Sequence, residues 1–322
     1  MSLPLIDLHR HLEGCIRTST VLDIARTNGD AFAREPQPRD LLVASGQLEG
    51  LVPYLTKVDR AAAVLHTLDD WHRVARESIW DAYDDGLSYL ELRFSPWFIN
   101  NETGLEPEDV LDAIADGVQD ARRSVPIGVG LIGIIVRDLG PETAEAQMNT
   151  LISRKDRLVG VDLAGNEQGF PAALFGPAFD AARANDLHIT IHAGEAAGPQ
   201  SVRDAIEHLH AERIGHGVRS VEDPRLLDYL VDHNITLDVA LTSNVQTRAA
   251  KSYPEHQIVE LMRHGVPVTL NTDDPRASNV TLSHEYEVAR SSVGLSEDDL
   301  ALVARTARTA AFSDDVEGGS IG

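Results

Sequence analysis

Ile127-Gly-Val-Gly-Leu-Ile-Gly-Ile-Ile135 carries no charge, and its non-glycine positions are all branched aliphatics. Strict alternation would mark a sheet with one wet face. A continuous apolar run instead marks a strand covered on both faces, as in a parallel sheet. Shorter strand candidates lie at Pro4–Leu8, Tyr89–Phe94, Leu158–Leu163, His188–His192, Arg213–Gly215, Thr236–Val239 and Pro267–Asn271. Helical patterns separate them, at Thr18–Thr27, Pro107–Arg123, Pro141–Ser153, Pro171–Asn185, Ser201–His210, Asp223–His233 and Glu255–His264. The last is followed by Gly265 at the usual helix stop, and several have proline near their start. Eight strands alternating with helices predict an α/β fold, a (β/α)₈ TIM barrel.

Two stretches depart from the plain repeat. Asn28 to Asp70 is too long for one crossover and predicts inserted helices over the barrel mouth. Leu282–Ser291 and Asp298–Phe312 predict extra C-terminal helices. With no internal repeat or interdomain linker, residues 1–313 read as one domain. The Gly- and acid-rich residues 314–322 read as a disordered tail.

The bulk numbers exclude several classes of protein. The 322 residues hold 28 basic and 51 acidic side chains, a net charge of −23. Such a field repels phosphates and argues against nucleic acid as a partner; solubility or a salty cytosol accounts for it more simply. No apolar run approaches the ~18 residues needed to cross a bilayer. Met1 to Asp7 lacks the basic start and apolar stretch of a signal peptide, so a cytoplasmic location is expected. Cys15 is the only cysteine, which rules out an internal disulfide and a thiolate metal cluster.

The reactive side chains fall where a barrel would gather them, at the C-terminal ends of strands. His9 and His11 follow the first strand in Asp7-Leu-His-Arg-His-Leu-Glu-Gly14, and extended alternation aims both imidazoles at one face. His192 and Glu195 follow the fifth in His-Ala-Gly-Glu, His216 follows the sixth in Gly-His-Gly, and Asp273 and Asp274 follow the eighth in Asn-Thr-Asp-Asp-Pro. Alone, each is ordinary: a chance His-x-His, a helix start, a loop, a turn. Their joint position is what distinguishes them. His66, His72, His208, His210, His233, His256, His264 and His284 lie mostly in helical patterns and read as structural or surface groups. Three imidazoles and a carboxylate make an N/O donor set suited to zinc, which lowers the pKa of a water toward 7. A glutamate and a further histidine beside it would supply the proton donor and base that hydrolysis at an amidine-like ring carbon needs.

In this order, these clusters resemble the adenosine deaminase family of the amidohydrolase superfamily, and the bacterial members most closely. The resemblance spans Leu3 to Phe312. It also rests on Tyr89-Leu-Glu-Leu-Arg-Phe-Ser-Pro96, Val161-Asp-Leu-Ala-Gly165, Ile191-His-Ala-Gly-Glu-Ala-Ala-Gly198, Glu212-Arg-Ile-Gly-His-Gly217, Thr242-Ser-Asn-Val-Gln-Thr247 and Leu270-Asn-Thr-Asp-Asp-Pro275. It implies zinc-dependent deamination of adenosine and 2′-deoxyadenosine to inosine and ammonia in purine salvage. One Zn²⁺ per chain would be held by His9, His11, His192 and Asp273. Glu195 would protonate the purine ring nitrogen, and His216 would orient and deprotonate the attacking water. Asp274 would hold that water and contact the purine imidazole nitrogen. His11, Glu13 and the backbone of Gly165 complete the implied substrate contacts, and Leu51–Asp59, with Tyr54 and Leu55, matches the family's apolar lid or is an ordinary amphipathic helix.

Two residues depart from the family pattern. Glu13 stands where aspartate usually contacts the ribose 5′-hydroxyl, and Asn166 where an acid is common. Glutamate there resembles the adenine deaminases and relatives acting on 5′-modified adenosines such as aminodeoxyfutalosine, which is the alternative substrate reading. A binuclear amidohydrolase would need a bridging Lys or Glu after the fourth strand; only Glu167 is available, since no Lys lies between Leu158 and Gln168. A catalytically dead nucleoside-binding relative is disfavoured by intact Glu195 and His216. Cysteine-ligated deaminases are excluded by the lone cysteine.

Overall fold

A computed structural model describes residues 5–317. Eight strands run parallel in chain order: β1 Leu5–His11, β2 Leu87–Phe94, β3 Gly128–Val136, β4 Gly160–Ala164, β5 His188–Ala193, β6 Arg213–His216, β7 Thr236–Val239 and β8 Val268–Leu270. Every neighbouring pair from β1–β2 to β7–β8 is parallel. The circle closes just beyond β8. Asp273 N donates to His9 O and His11 N donates to Asp273 O, each at 2.8 Å, and Leu8 N donates to Asn271 Oδ1 at 2.9 Å. Three of the four residues expected to bind metal, His9, His11 and Asp273, therefore also join the first and last strands.

Each expected strand is found, Thr236–Val239 with the expected bounds and the others with shifted ends. The largest shift corrects the placement of His9 and His11, which lie within β1 rather than after it. Pairing of Arg10 with Leu92 and of His11 with Arg93 carries the strand three residues further than its apolar run. Pro4 of that expected strand lies outside the described residues. The insertion folds as a 3₁₀ turn, Ala31–Arg34, and helices Pro38–Leu42 and Leu51–Ala62. Ala44 N donates to Ala277 O at 2.7 Å and Leu48 N to Gln246 O at 2.8 Å, which ties this segment over the barrel mouth. Leu68–Asp84 forms a further helix, started by a reciprocal Thr67–Asp70 capping box.

The C-terminal helices run Leu282–Val288 and Glu297–Ala310. Of the tail expected over residues 314–322, Asp314–Glu317 form a 3₁₀ turn, and residues 318–322 lie outside the described residues. Arg122 Nη2 pairs with Asp315 at 2.6 Å, and Val316 packs on Ile6, Leu8 and Tyr89.

The barrel axis is filled by charge as well as by aliphatics. Glu91, Arg93, Asp162, Arg213 and Asp238 are all fully buried. Arg93 Nη1 donates to Asp162 at 2.7 Å, Arg213 Nε donates to Asp238 at 2.7 Å, and Arg213 also pairs with Glu91. Unpaired, each charge would cost several kcal/mol to bury, so the set stands or falls together. Phe312 closes the lower end, with the Arg213 guanidinium 4.0 Å from its ring centre.

Candidate active site

His9, His11, His192 and Asp273 come together at the mouth, each offering one ligand atom, all within 4.8 Å of one another. His11 Nε2 lies 3.1 Å from His192 Nε2 and 3.3 Å from His9 Nε2. Both His9 Nε2 and His11 Nε2 lie 3.3 Å from Asp273 Oδ1. Tetrahedral zinc with bonds of about 2.0–2.1 Å would set its ligands about 3.3–3.4 Å apart, so these separations suit such an ion. Burial lowers His11 to about 3 and holds His9 well below its ordinary value, leaving neutral imidazoles with free lone pairs. Although burial opposes it, the His9 hydrogen bond and the neighbouring histidines keep Asp273 ionised. His192 Nδ1 donates to Asp162 at 2.9 Å, which turns its Nε2 inward. Ser243 Oγ donates to Asp273 Oδ2 at 2.6 Å.

The approach of His9 depends on a missing side chain. A Cβ on Gly215 would stand 2.8 Å from His9 Cε1. Likewise a Cβ on Gly14 would overlap the Asp274 carboxylate.

Glu195, His216 and Asp274 border the same cavity of about 360 Å³, as do His11, Glu13, Gly165 and Leu51, Tyr54 and Leu55 of the helix Leu51–Ala62. This volume is in the range of small-molecule sites. Glu195 Oε2 is 3.7 Å from His216 Nε2, and Thr247 Oγ1 donates to its Oε1 at 2.9 Å. Burial raises the Glu195 carboxyl. Burial, with Asp273, Glu13 and Glu195 nearby, pushes Asp274 well above its ordinary value. Tyr54 is buried and bonded to Ser278 Oγ at 2.7 Å, so this helix is anchored to the segment after β8.

The two departures acquire structural surroundings. Glu13 Oε1 accepts Ser95 N–H at 2.9 Å, while its buried Oε2 has no partner; burial raises its pKa to about 7. Asn166 Oδ1 accepts Gly169 N–H at 2.9 Å, and its own N–H donates to Asp138 at 2.9 Å, so a neutral amide closes the loop after β4. Glu167 is not a bridging ligand: both its oxygens are taken by backbone N–H groups of residues 194–197.

Sequence reasoning misses the supporting residues Asp162, Ser243, Asn244 and Thr247. Their motifs, Val161-Asp-Leu-Ala-Gly165 and Thr242-Ser-Asn-Val-Gln-Thr247, are plain in the chain. Only the fold shows that they reach the reactive groups.

A (β/α)₈ barrel with this donor set and an adjoining Glu–His pair defines a hydrolase of the metal-dependent type. The adenosine deaminase family model matches residues 4–321, and the chain belongs to that family. It is 44% identical to the adenosine deaminase of Edwardsiella ictaluri (strain 93-146) over 299 residues, covering 92% of this chain and 90% of that one. An amidohydrolase from Burkhoderia ambifaria, solved with bound Zn, superposes with a TM-score of 0.89 at 28% identity, covering 97% of this chain and 86% of that one. The adenine deaminase of Arthrobacter aurescens shares the fold, with a TM-score of 0.91 at 24% identity and coverage of 98% and 96%. Among the described residues, no helix is long and apolar enough to cross a membrane.

Proposed function

We propose that the chain deaminates adenosine hydrolytically, giving inosine and ammonia, with one zinc ion held by His9, His11, His192 and Asp273. The observation that carries this reading is the four-donor cluster beside Glu195 and His216 at one nucleoside-sized cavity. When bound, the ion supplies the Lewis acidity that makes water a nucleophile near neutral pH.

The protein groups do the rest. Glu195, whose carboxyl pKa burial raises, donates to the purine ring nitrogen beside the attacked carbon, and the Thr247 hydroxyl holds its other oxygen. His216 Nε2 takes the proton of the attacking water. Its Nδ1 lies 3.0 Å from Asn244 Nδ2, and the Asn244 oxygen has no partner. Turned over, with its oxygen toward His216, that amide accepts a hydrogen from Nδ1 and leaves Nε2 free to act as base. Asp274, protonated in its buried acidic surroundings, donates to the imidazole nitrogen of the purine. His11 and the backbone of Gly165 border the base.

A second reading, that adenine or a 5′-modified adenosine is preferred, rests on the unpartnered Glu13 Oε2. A screen of deamination rates on adenosine, 2′-deoxyadenosine, adenine and 5′-modified adenosines decides between the two, with Glu13→Asp run beside the wild type. Adenosine is expected to lead, activity to vanish with a chelator, and zinc to restore it. A large preference for the free base sinks the nucleoside reading.

A further inference from the structure

We infer that Glu167 is a positioning residue for the proton donor Glu195, holding the loop after β5 by its carboxylate. The inference rests on the proton-donor role proposed for Glu195.

The geometry begins at Gly194, whose φ of +70° turns the chain back on itself. A side chain there would stand 2.6 Å from Val202 Cγ2 and 3.2 Å from Gly217 Cα, so the turn is pressed between two neighbours. Beyond it, successive backbone N–H groups converge on one point, an arrangement that elsewhere cradles phosphate. Here a carboxylate fills the cup. Glu167 Oε1 accepts Gly194 N–H at 2.5 Å; Oε2 accepts Glu195, Ala196 and Ala197 N–H at 3.2, 2.7 and 2.9 Å. Glu167 is buried, so these bonds are shielded from water.

Arg137 reinforces the same place. Fully buried at the end of β3, it donates Nη2 to His192 O at 2.6 Å and Nη1 to Phe170 O at 2.7 Å. The loop after β4 is fixed in turn by Asn166, which bonds to Asp138 and Gly169. Glu195 therefore sits on a turn clamped from two adjacent strands. Its side chain faces the cavity, while its backbone N–H belongs to Glu167.

Filling the cup also keeps its donors away from the catalytic carboxyl. Four unsatisfied N–H groups beside Glu195 would favour its ionised form and draw that carboxylate to themselves. Catalysis would then lose both the position and the free face of the acid.

The test compares Glu167→Gln and Glu167→Ala with wild type and with Glu195→Gln, using adenosine. Gln keeps the volume but turns an NH₂ toward the N–H donors. A shift of the acid of even 1 Å is expected to lower kcat by about 100-fold, with KM changed by less than about threefold and metal content per chain unchanged. Ala leaves an empty anion cup, so formate is expected to restore kcat at least about tenfold, with chloride as the control and no effect on wild type. Retention of kcat within about threefold in Glu167→Gln overturns the inference. So does a loss that tracks loss of metal, or an Ala variant, refolded in formate if necessary, that formate does not restore. Full activity of Glu195→Gln would instead remove the proton-donor role on which the inference stands. Inactive Glu195→Gln beside active Glu167→Gln isolates the failure to the anchor.

Discussion

Gly215→Ala adds one methyl group at the most confined point of the metal cluster. The new Cβ would lie 2.8 Å from His9 Cε1, 3.2 Å from His9 Nδ1 and 3.4 Å from His192 Cα. Carbon atoms rest at about 3.5–4.0 Å, so the His9 ring must retreat by roughly 0.7 Å. It has little room, being fully buried with its Nε2 3.3 Å from both Asp273 Oδ1 and His11 Nε2. Metal sites hold their bond lengths to about ±0.2 Å, so the displacement exceeds what one ligand can absorb. The expected result is a metal affinity lower by about 10–100-fold, the range found when a ligand's support is disturbed. Overpacking should also cost about 1–3 kcal/mol of stability, lowering Tm by roughly 2–4 °C per kcal/mol. Chelator competition at fixed zinc measures the first and thermal unfolding the second. A variant with wild-type resistance to chelator and wild-type Tm would refute the claim that glycine is required by the approach of His9.

Buried charge gives two further predictions. Asp162→Asn preserves volume but removes the anion shared by Arg93 and His192; it should lower stability by about 3–5 kcal/mol and weaken metal binding. An unchanged denaturant midpoint would contradict this. Glu285, raised by burial from 4.5 to about 7, binds its proton more tightly folded than unfolded. Its contribution is thus fully present below pH 4.5 and lost as pH rises through 7, a change of about 3 kcal/mol. Glu285→Gln should flatten the decline of Tm between about pH 5 and pH 8, and identical pH profiles for variant and wild type would count against it.

The barrel and most of the reactive set are legible in the amino-acid order. Continuous apolar runs such as Ile127–Ile135 force burial on both faces, which only a parallel sheet with covering helices provides. In such a barrel the residues ending each strand must meet, so strand order alone assembles His9, His11, His192, His216 and Asp273. Strand ends are less legible, because β1 continues through His11 by pairing with β2 after its apolar run stops. The contacts of Asp315 and Val316 are not legible for a similar reason, since they depend on partners at Arg122 and Ile6, more than a hundred residues away.

The supports of each reactive group, by contrast, exist only in three dimensions. Nothing in the local pattern around Glu167 distinguishes a loop anchor from a metal bridge; its role depends on where the turn at Gly194 points four N–H groups. Thr247 meets Glu195, and Asn244 meets His216, across strand connections with no periodic signature. Spacing along a chain encodes which face a side chain shares, but a hydrogen bond between distant segments is fixed by distances that exist only once the barrel has closed.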